Sequence, residues 1–349
     1  MRQDEKVKRI PLARMSESQL LSLRLCDLRL EITGSSLEPL IDQVLDELKA
    51  KGLNFRPHFW VSDEWFCPDG IGGVAVPFFV LHPRLRSLER AIMGEVEGGD
   101  RRQALKIIRH EVGHALDNAF RLRKERERQE VFGPSQLPYP ESYSPRPYSR
   151  HFVSHLQPSY AQSHPLEDFA ETFAVWLNPE SQWRQRYRGW PALEKLLYVD
   201  KRMRALRGER AQLKTRSTYQ PLHRLKSTLA EHYRQRLKSR GLLRPSAWDN
   251  RLREIFSRRS AHAEQVLRSL RREASQEVAK ALGEYQYRID SLVHEMCLRA
   301  RHMEGSLEVF GSRFKKTAVV PKSLKRDLLD LMTERSLEAL QKDSYRIPM

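Results

Sequence analysis

Two histidines lie four residues apart in the segment IIRHEVGHALDNAF, residues 107–120, and a glutamate follows the first of them. On a helix, residues i and i+4 share a face, so His110 and His114 can direct two imidazole nitrogens to one point. Glu111 would lie about 100° further round the helix, close enough to hold a metal-bound water without ligating the metal. This H-E-x-x-H spacing is typical of a zinc site, but an amphipathic helix with a polar face also produces it. A third ligand from elsewhere in the chain is therefore required.

Carboxylates with helical spacing follow downstream. Residues 166–177 have the pattern of a helix in which Glu167 and Glu171 are four apart. A catalytic zinc site takes three protein ligands and leaves the fourth position for water, so a glutamate on this helix is the natural third ligand. A second carboxylate one turn away can accept the remaining N–H of a ligating histidine. Tyr160, in the segment that leads into this helix, carries a phenol that can donate to an oxyanion.

Together, HEVGHALD and the later Y-x6-E-D-F-A-E resemble the active site of the gluzincin metallopeptidases. Within that group they are similar to the active-site module of anthrax lethal factor and the Pro-Pro endopeptidases, and to bacterial proteins described as zinc-binding metallopeptidases. Those proteins share H-E-x-x-H, a tyrosine seven residues before the ligand glutamate and a second glutamate four residues after it. The resemblance covers roughly residues 55 to 180.

The resemblance implies a role for each matched residue. His110, His114 and Glu167 would bind Zn2+, and Glu111 would be the general base. Tyr160 would stabilise the tetrahedral intermediate. Glu171 would support the ligands from behind, and it remains the second choice for the third ligand.

A metzincin site is disfavoured at the same segment. Its third histidine would fall at Phe120, and its glycine at Asp117.

The elements around these motifs predict an α+β fold. We expect a zincin-like catalytic domain with a small mixed sheet, a helix carrying H-E-x-x-H from Arg101 to about Arg126, and a glutamate-bearing helix from Pro165 to Asn178. The aromatic and β-branched segments RPHFWVSDEWF and GIGGVAVPFFVLHP predict the strands. Helices are expected in LLSLRLCDLRLEI and LEPLIDQVLDELKAKG near the N-terminus.

Two connecting segments bear on substrate access. In zincin-like folds an extended substrate pairs with an exposed strand, and IGGVAVPFF, residues 71–79, is the candidate because paired glycines allow close backbone approach. Residues 133–149 contain five prolines and cannot be regular structure. This segment is either a lid over the cleft or a solvated connection.

The second part of the chain is basic and helical. Residues 200–349 contain 34 Lys and Arg against 18 Asp and Glu, a net charge of +16 out of the total of +17. This asymmetry predicts a zincin-like domain at 1–199 and a basic all-α domain with long helices at 200–349. One long helix, or two with a bend near Gly283, is expected between Trp248 and Met303, and another follows Pro321. The charge makes a polyanion, either nucleic acid or acidic protein, a possible partner.

Composition limits the remaining classes. The 349 residues are 40% hydrophobic and 31% charged, as in globular proteins. No apolar run approaches the roughly 20 residues of a membrane span, and the first residues lack the apolar core of a signal peptide. Three scattered cysteines predict neither a disulfide framework nor a cysteine–zinc site. We therefore expect a cytoplasmic protein.

These observations predict a zinc-dependent endopeptidase that uses a zinc-activated water and Glu111 as general base. Two other classes compete with it. One is a nucleic-acid- or protein-binding scaffold whose zincin module is inactive. The other is a zinc hydrolase of a non-peptide amide. The sequence does not reveal the cleavage specificity, the oligomeric state or any need for a partner.

Overall fold

The computed structural model describes residues 11–156, 159–244, 246–257, 263–303, 322–341 and 347–348. The helices are α1 Glu17–Ser22, α2 Glu38–Ala50, α3 Pro83–Met93, α4 Arg101–Phe120, α5 Arg126–Phe132, α6 Pro165–Leu177, α7 Trp183–Arg186, α8 Ala192–Ala205, α9 Leu229–Ser239, α10 Ala247–Ser257, α11 Ala263–Leu282, α12 Gln286–Met303 and α13 Lys322–Gln341. The strands are β1 His58–Ser62, β2 Gly73–Pro77, β3 Ser142–Tyr143 and β4 Ile347–Pro348. Mixed helices with a small parallel sheet fit the α+β class.

Helix α4, which carries H-E-x-x-H, begins at a capped terminus. The side chain of Asp100 accepts a hydrogen bond from the backbone N–H of Gln103. The helix ends at Phe120, earlier than the expected Arg126, because Arg121 adopts a left-handed conformation with φ of 55°. A 3-10 turn and α5 follow, so the long predicted helix is two helices.

Helix α6 begins at Pro165, as the sequence predicts. The side chain of His164 accepts from the backbone N–H of Leu166 and so caps the helix. Every residue from Leu166 to Leu177 is buried, including both glutamates. This helix therefore lies in the interior, where its carboxylates need partners.

Helices α4 and α6 pack closely through Gly113, inside the H-E-x-x-H motif. A Cβ added at Gly113 would lie 3.0 Å from a ring carbon of Phe173 and 3.2 Å from the Cα of Ala170. Any larger residue would push the two helices apart. The absence of a side chain at this position sets the short distance between the two helices.

The parallel sheet does not offer the substrate edge expected at residues 71–79. β2 pairs with β1 on one side, and all five of its residues are buried. On the other side, the N–H of Ala75 donates to the carbonyl of Phe66 at 2.9 Å in an antiparallel bridge. Both edges are thus occupied near the middle of β2, and the expectation of an exposed strand was wrong.

The N-terminal segment LLSLRLCDLRLEI is not one helix. It contains the short α1 and a 3-10 turn at Leu25–Asp27. The backbone N–H groups of Leu25 and Cys26 donate to the carbonyls of Ser227 and Leu225, both at 2.9 Å. These long-range bonds replace helical ones, so tertiary contact overrides the helical pattern. The next predicted helix is present as α2 and is followed by Gly52 with φ of +79°.

The basic C-terminal region forms a helical bundle from α10, α11, α12 and α13. Gly283, with φ of +66°, ends α11, and α12 runs back along it. The guanidinium of Arg271 consequently reaches both carboxylate oxygens of Asp290, at 2.8 and 2.5 Å. The expected bend is therefore a full reversal. The stop expected at Gly305 lies outside the described residues.

The buried hydrophobic side chains form two clusters. The larger one extends through Leu206, Leu229 and Tyr233 to Leu242 and also includes Leu298 of α12, and the smaller one begins at Leu252. Helix α8 runs across residue 200, so the predicted division at that residue does not follow the separation of the cores. The assignment of two domains stays a prediction. None of the helices in the described ranges combines the length and the apolar character that a bilayer span requires.

Candidate metal centre

Three donor atoms from α4 and α6 converge on one point in the interior. The Nε2 atoms of His110 and His114 are 3.1 Å apart. Oε2 of Glu167 lies 3.0 Å from Nε2 of His110 and 3.1 Å from Nε2 of His114. In a tetrahedral zinc site with ligand bonds of about 2.0–2.2 Å, donor atoms are separated by about 3.3–3.6 Å. The triangle therefore needs to open by only a few tenths of an ångström to fit a zinc ion.

Glu171 lies behind His110 and determines which ring nitrogen carries the proton. Oε1 of Glu171 is 2.9 Å from Nδ1 of His110. A carboxylate can only accept, so Nδ1 is the protonated nitrogen and the Nε2 of the neutral ring presents a lone pair. The other oxygen of Glu171 accepts the backbone N–H of Leu156 at 2.8 Å. Glu171 thus faces away from the convergence point, although sequence spacing left it as a candidate ligand.

The pocket around His110 has the electrostatics of a cation site. Burial by itself lowers the pKa of His110, but hydrogen bonds to Glu167 and Glu171 and their charges raise it well above its ordinary value. Burial also opposes ionisation of Glu167, yet the charges and hydrogen bonds of both histidines hold its pKa well below the usual range. Two lone pairs and a carboxylate oxygen repel one another at 3 Å unless a proton or a metal ion lies between them. The donor set therefore fits zinc.

Glu111 lies beside the donors without joining them. The residue is buried, with 8% of its surface exposed. Burial raises the pKa of its carboxyl, while the charges of His110 and His114 lower it. Among the described residues, no side chain or backbone N–H donates to its oxygens. A buried carboxylate that has no protein donor is suited to accept a proton from water.

Tyr160 lies against the same histidine from a 3-10 turn at Tyr160–Gln162. Its ring centroid is 5.6 Å from that of His110. Burial and the charges of Glu167 and Glu111 raise the pKa of its phenol, so it remains protonated and can donate. No partner for its hydroxyl is found in the described part of the chain. The structure thus brings all six sequence-predicted site residues together at the contact between α4 and α6.

Tyr139 is a site residue that sequence reasoning missed. It lies in the proline-rich segment 133–149, and its hydroxyl donates to Oε1 of Glu167 at 2.6 Å. Its ring stacks on His164 with 4.1 Å between centroids, and Nε2 of His164 is 2.9 Å from the carbonyl of Leu137. The segment is therefore tied to the start of α6. No sequence spacing reveals this contact, because the tyrosine reaches the site from irregular backbone.

A buried ion pair, which no sequence motif indicates, also links α4 to α6. Asp117 on α4 is fully buried and lies 3.6 Å from a guanidinium nitrogen of Arg128. The guanidinium of Arg128 packs over the ring of Phe169 on α6, at 5.0 Å from its centroid. Asp168, another acid of α6, turns away from the site and pairs with Lys195 at 2.6 Å. Burial raises the pKa of Asp168 to about 7 even though Lys195 lowers it.

Comparisons with known proteins agree with this geometry. Residues 84–184, 101 of the 349 residues, match the family described as "Putative zinc-binding metallo-peptidase". The matched segment contains α4, Tyr160 and α6. No curated protein and no solved structure gives a significant match to the chain.

Proposed function

We propose that this protein is a zinc-dependent endopeptidase with a zincin-like catalytic centre. The observation that carries the proposal is the convergence of two imidazole nitrogens and one carboxylate oxygen within 3.1 Å of one another in a buried site. The family match over residues 84–184 supports peptide hydrolysis as the reaction. His110, His114 and Glu167 are the proposed zinc ligands.

Bound zinc supplies a Lewis acid that lowers the pKa of a coordinated water towards about 7 and polarises the scissile carbonyl. The protein's own residues handle the protons. Glu111 accepts a proton from water and passes it to the leaving amine, because its carboxylate is held beside both imidazoles without a competing donor. Tyr160 donates a hydrogen bond from its phenol to the developing oxyanion.

Two residues orient the glutamate and histidine ligands. Glu171 holds the Nδ1–H of His110 and so directs the ring. Tyr139 holds Oε1 of Glu167, which leaves Oε2 of the carboxylate directed at the histidines. Substitutions of these residues should affect metal affinity, whereas substitution of Glu111 should leave metal affinity nearly unchanged.

The deciding experiment combines metal analysis with cleavage. Protein purified without chelator is analysed for zinc and incubated with internally quenched peptides that are blocked at both ends, so that only an endopeptidase can cleave them. Wild type should bind one zinc and cleave. Glu111→Gln should retain zinc and lose activity by at least about a hundredfold, the lower range for loss of a general base.

The exposed Glu180→Gln is the matched control and should behave as wild type. Absence of zinc from wild type contradicts the whole constellation. Zinc without cleavage favours a binding scaffold, and cleavage of non-peptide amides alone favours the other hydrolase class.

Polyanion binding through the basic region receives no specific support from the side-chain contacts. Several of its cations pair with acids of the same bundle: Arg271 with Asp290, Arg299 with Glu295, and Lys325 with Glu273. The net charge of +16 already counts these acids, so the pairs leave it unchanged, but they hold the cations to acids of the bundle itself. We therefore propose no second function for the bundle.

A further inference from the structure

The proline-rich segment does more than reach Glu167. Its residues Ser142 and Tyr143 form β3, which pairs antiparallel with residues 347–348. Tyr143 lies opposite Ile347, and Ser142 lies opposite Pro348. Proline has no N–H, so the pair that exchanges both backbone hydrogen bonds must be Tyr143 with Ile347. The N–H of Ile347 therefore donates to the carbonyl of Tyr143, and the N–H of Tyr143 donates back.

This short ladder runs beside the candidate metal centre. Tyr143 is buried, and its ring centroid is 6.5 Å from that of Tyr160, which in turn is 5.6 Å from His110. Tyr143 thus connects β3, through the ring of Tyr160, to a proposed zinc ligand.

The position of β3 is fixed on both flanks. The N–H of Arg146 donates to the side-chain oxygen of Gln162 at 2.8 Å, and the amide of Gln162 donates to the carbonyl of Arg146 at 3.0 Å. On the other flank, Tyr139 binds Glu167. An edge strand that is held at both ends next to a catalytic centre can bind an extended peptide through its backbone.

We propose that β3 is the peptide-binding edge of this site and that residues 347–348 occupy it as an internal competitor of the substrate. The ligand is an extended peptide that offers one N–H and one carbonyl to Tyr143. That the bound peptide is a substrate rests on the proposed function, but peptide binding at β3 can be tested without cleavage. It replaces β2, whose two edges are occupied.

A segment on the same chain competes at an effective concentration of the order of 1 mM. If the internal segment binds β3 with an intrinsic Kd of about 0.1 mM, an added peptide binds about tenfold more weakly than to the free edge. Release of the internal segment should therefore raise the affinity for an added peptide by about the same factor.

The test uses full-length chains that all carry Glu111→Gln, so that no peptide is cleaved. The probe is a fluorescent peptide with the sequence of residues 342–349, KDSYRIPM. Ile347→Pro removes the N–H that donates to Tyr143, whereas Ile347→Ala keeps it and is the matched control. Fluorescence anisotropy should show about tenfold tighter binding to the proline variant than to the alanine variant or to the parent.

Equal affinity for all three chains, or no binding to any of them, overturns the proposal. Circular dichroism and the thermal midpoint should be the same for both variants, which shows that the fold is intact.

Amide hydrogen exchange provides a second, independent readout. The N–H of Tyr143 should be protected in the parent and in Ile347→Ala, and it should exchange faster in Ile347→Pro. An unprotected amide in the parent means that the pair does not form, and the inference then fails. Zinc binding and cleavage by the wild type would stand regardless. Conversely, competitive peptide binding without any cleavage would contradict the proposed function and leave the binding edge in place.

Discussion

Replacement of Glu171 by glutamine tests the arrangement of the site while every proposed zinc ligand stays unchanged. The carboxylate of Glu171 accepts two hydrogen bonds, from Nδ1–H of His110 at 2.9 Å and from the backbone N–H of Leu156 at 2.8 Å. Glutamine has the same shape but only one acceptor oxygen. Whichever way the amide turns, one of the two donors faces an NH2 group.

The size of the effect follows from these two bonds. Hydrogen bonds to charged groups contribute about 1.5–3 kcal/mol each, and Glu171 is fully buried, so solvent cannot compensate. With about 1.4 kcal/mol for each factor of ten, the loss of one such bond to His110 weakens zinc binding by roughly 10- to 100-fold. If the amide turns so that the N–H of Leu156 loses its acceptor instead, the metal-free fold is destabilised.

The assay is competition for zinc with a chromophoric chelator near neutral pH, for wild type, Glu171→Gln and the exposed control Glu194→Gln on α8. The free energy of unfolding is measured in parallel on metal-free protein to separate global destabilisation from loss of affinity. The control should match wild type. We expect the zinc Kd of Glu171→Gln to rise about 10- to 100-fold. A rise of less than about threefold in a folded protein would refute the role of Glu171 in orienting His110.

Other substitutions probe the parts around the donor triangle. Gly113→Ala places a Cβ 3.0 Å from Phe173, so it should lower the thermal midpoint and weaken zinc binding, and unchanged values of both would contradict the close packing. Tyr139→Phe removes the hydrogen bond to Glu167. Because Tyr139 is 48% exposed, we expect zinc affinity in chelator competition to fall by no more than about tenfold. The value of kcat should fall less than after Glu111→Gln. Burial lowers the pKa of His232 to about 3. The folded state therefore excludes a proton that the unfolded state binds below about 6.5, and stability should fall with acidification by at most about 1.4 kcal/mol per pH unit. Denaturant unfolding at several pH values gives the free energy of unfolding as a function of pH. Its slope between about pH 3 and 6.5 should be smaller for His232→Leu than for wild type. An identical slope would assign the acid sensitivity to other groups.

The sequence determined the chemistry of the candidate site because that chemistry depends on spacing along helices. Four residues make one turn, so the pairs His110–His114 and Glu167–Glu171 could each be placed on one helix face without coordinates. The proline at the start of α6 and the stripe of apolar residues fixed the helix around the second pair. These local rules were sufficient to propose His110 and His114 and to limit the third donor to Glu167 or Glu171, and the resemblance to the gluzincins favoured Glu167.

Only the tertiary structure decided how the two helices meet. The four-residue spacing does not distinguish Glu167 from Glu171. Their different roles follow from tertiary contacts, since Glu167 faces His114 and Glu171 lies behind His110. That orientation depends on close packing at Gly113, which pairs residues about sixty positions apart. No local pattern contains such a distance.

The irregular segments show the same limit. The prediction that residues 133–149 contain no regular structure was wrong at Ser142–Tyr143, which form β3. Neither the contact of Tyr139 with Glu167 nor the pairing of Tyr143 with Ile347 follows from a local pattern, because both partners lie far away in the sequence. Likewise, the bonds from Leu25 to residue 227 end a helix that local propensity favours. Periodicity determines which residues share a face of one element, and long-range contacts determine which faces meet.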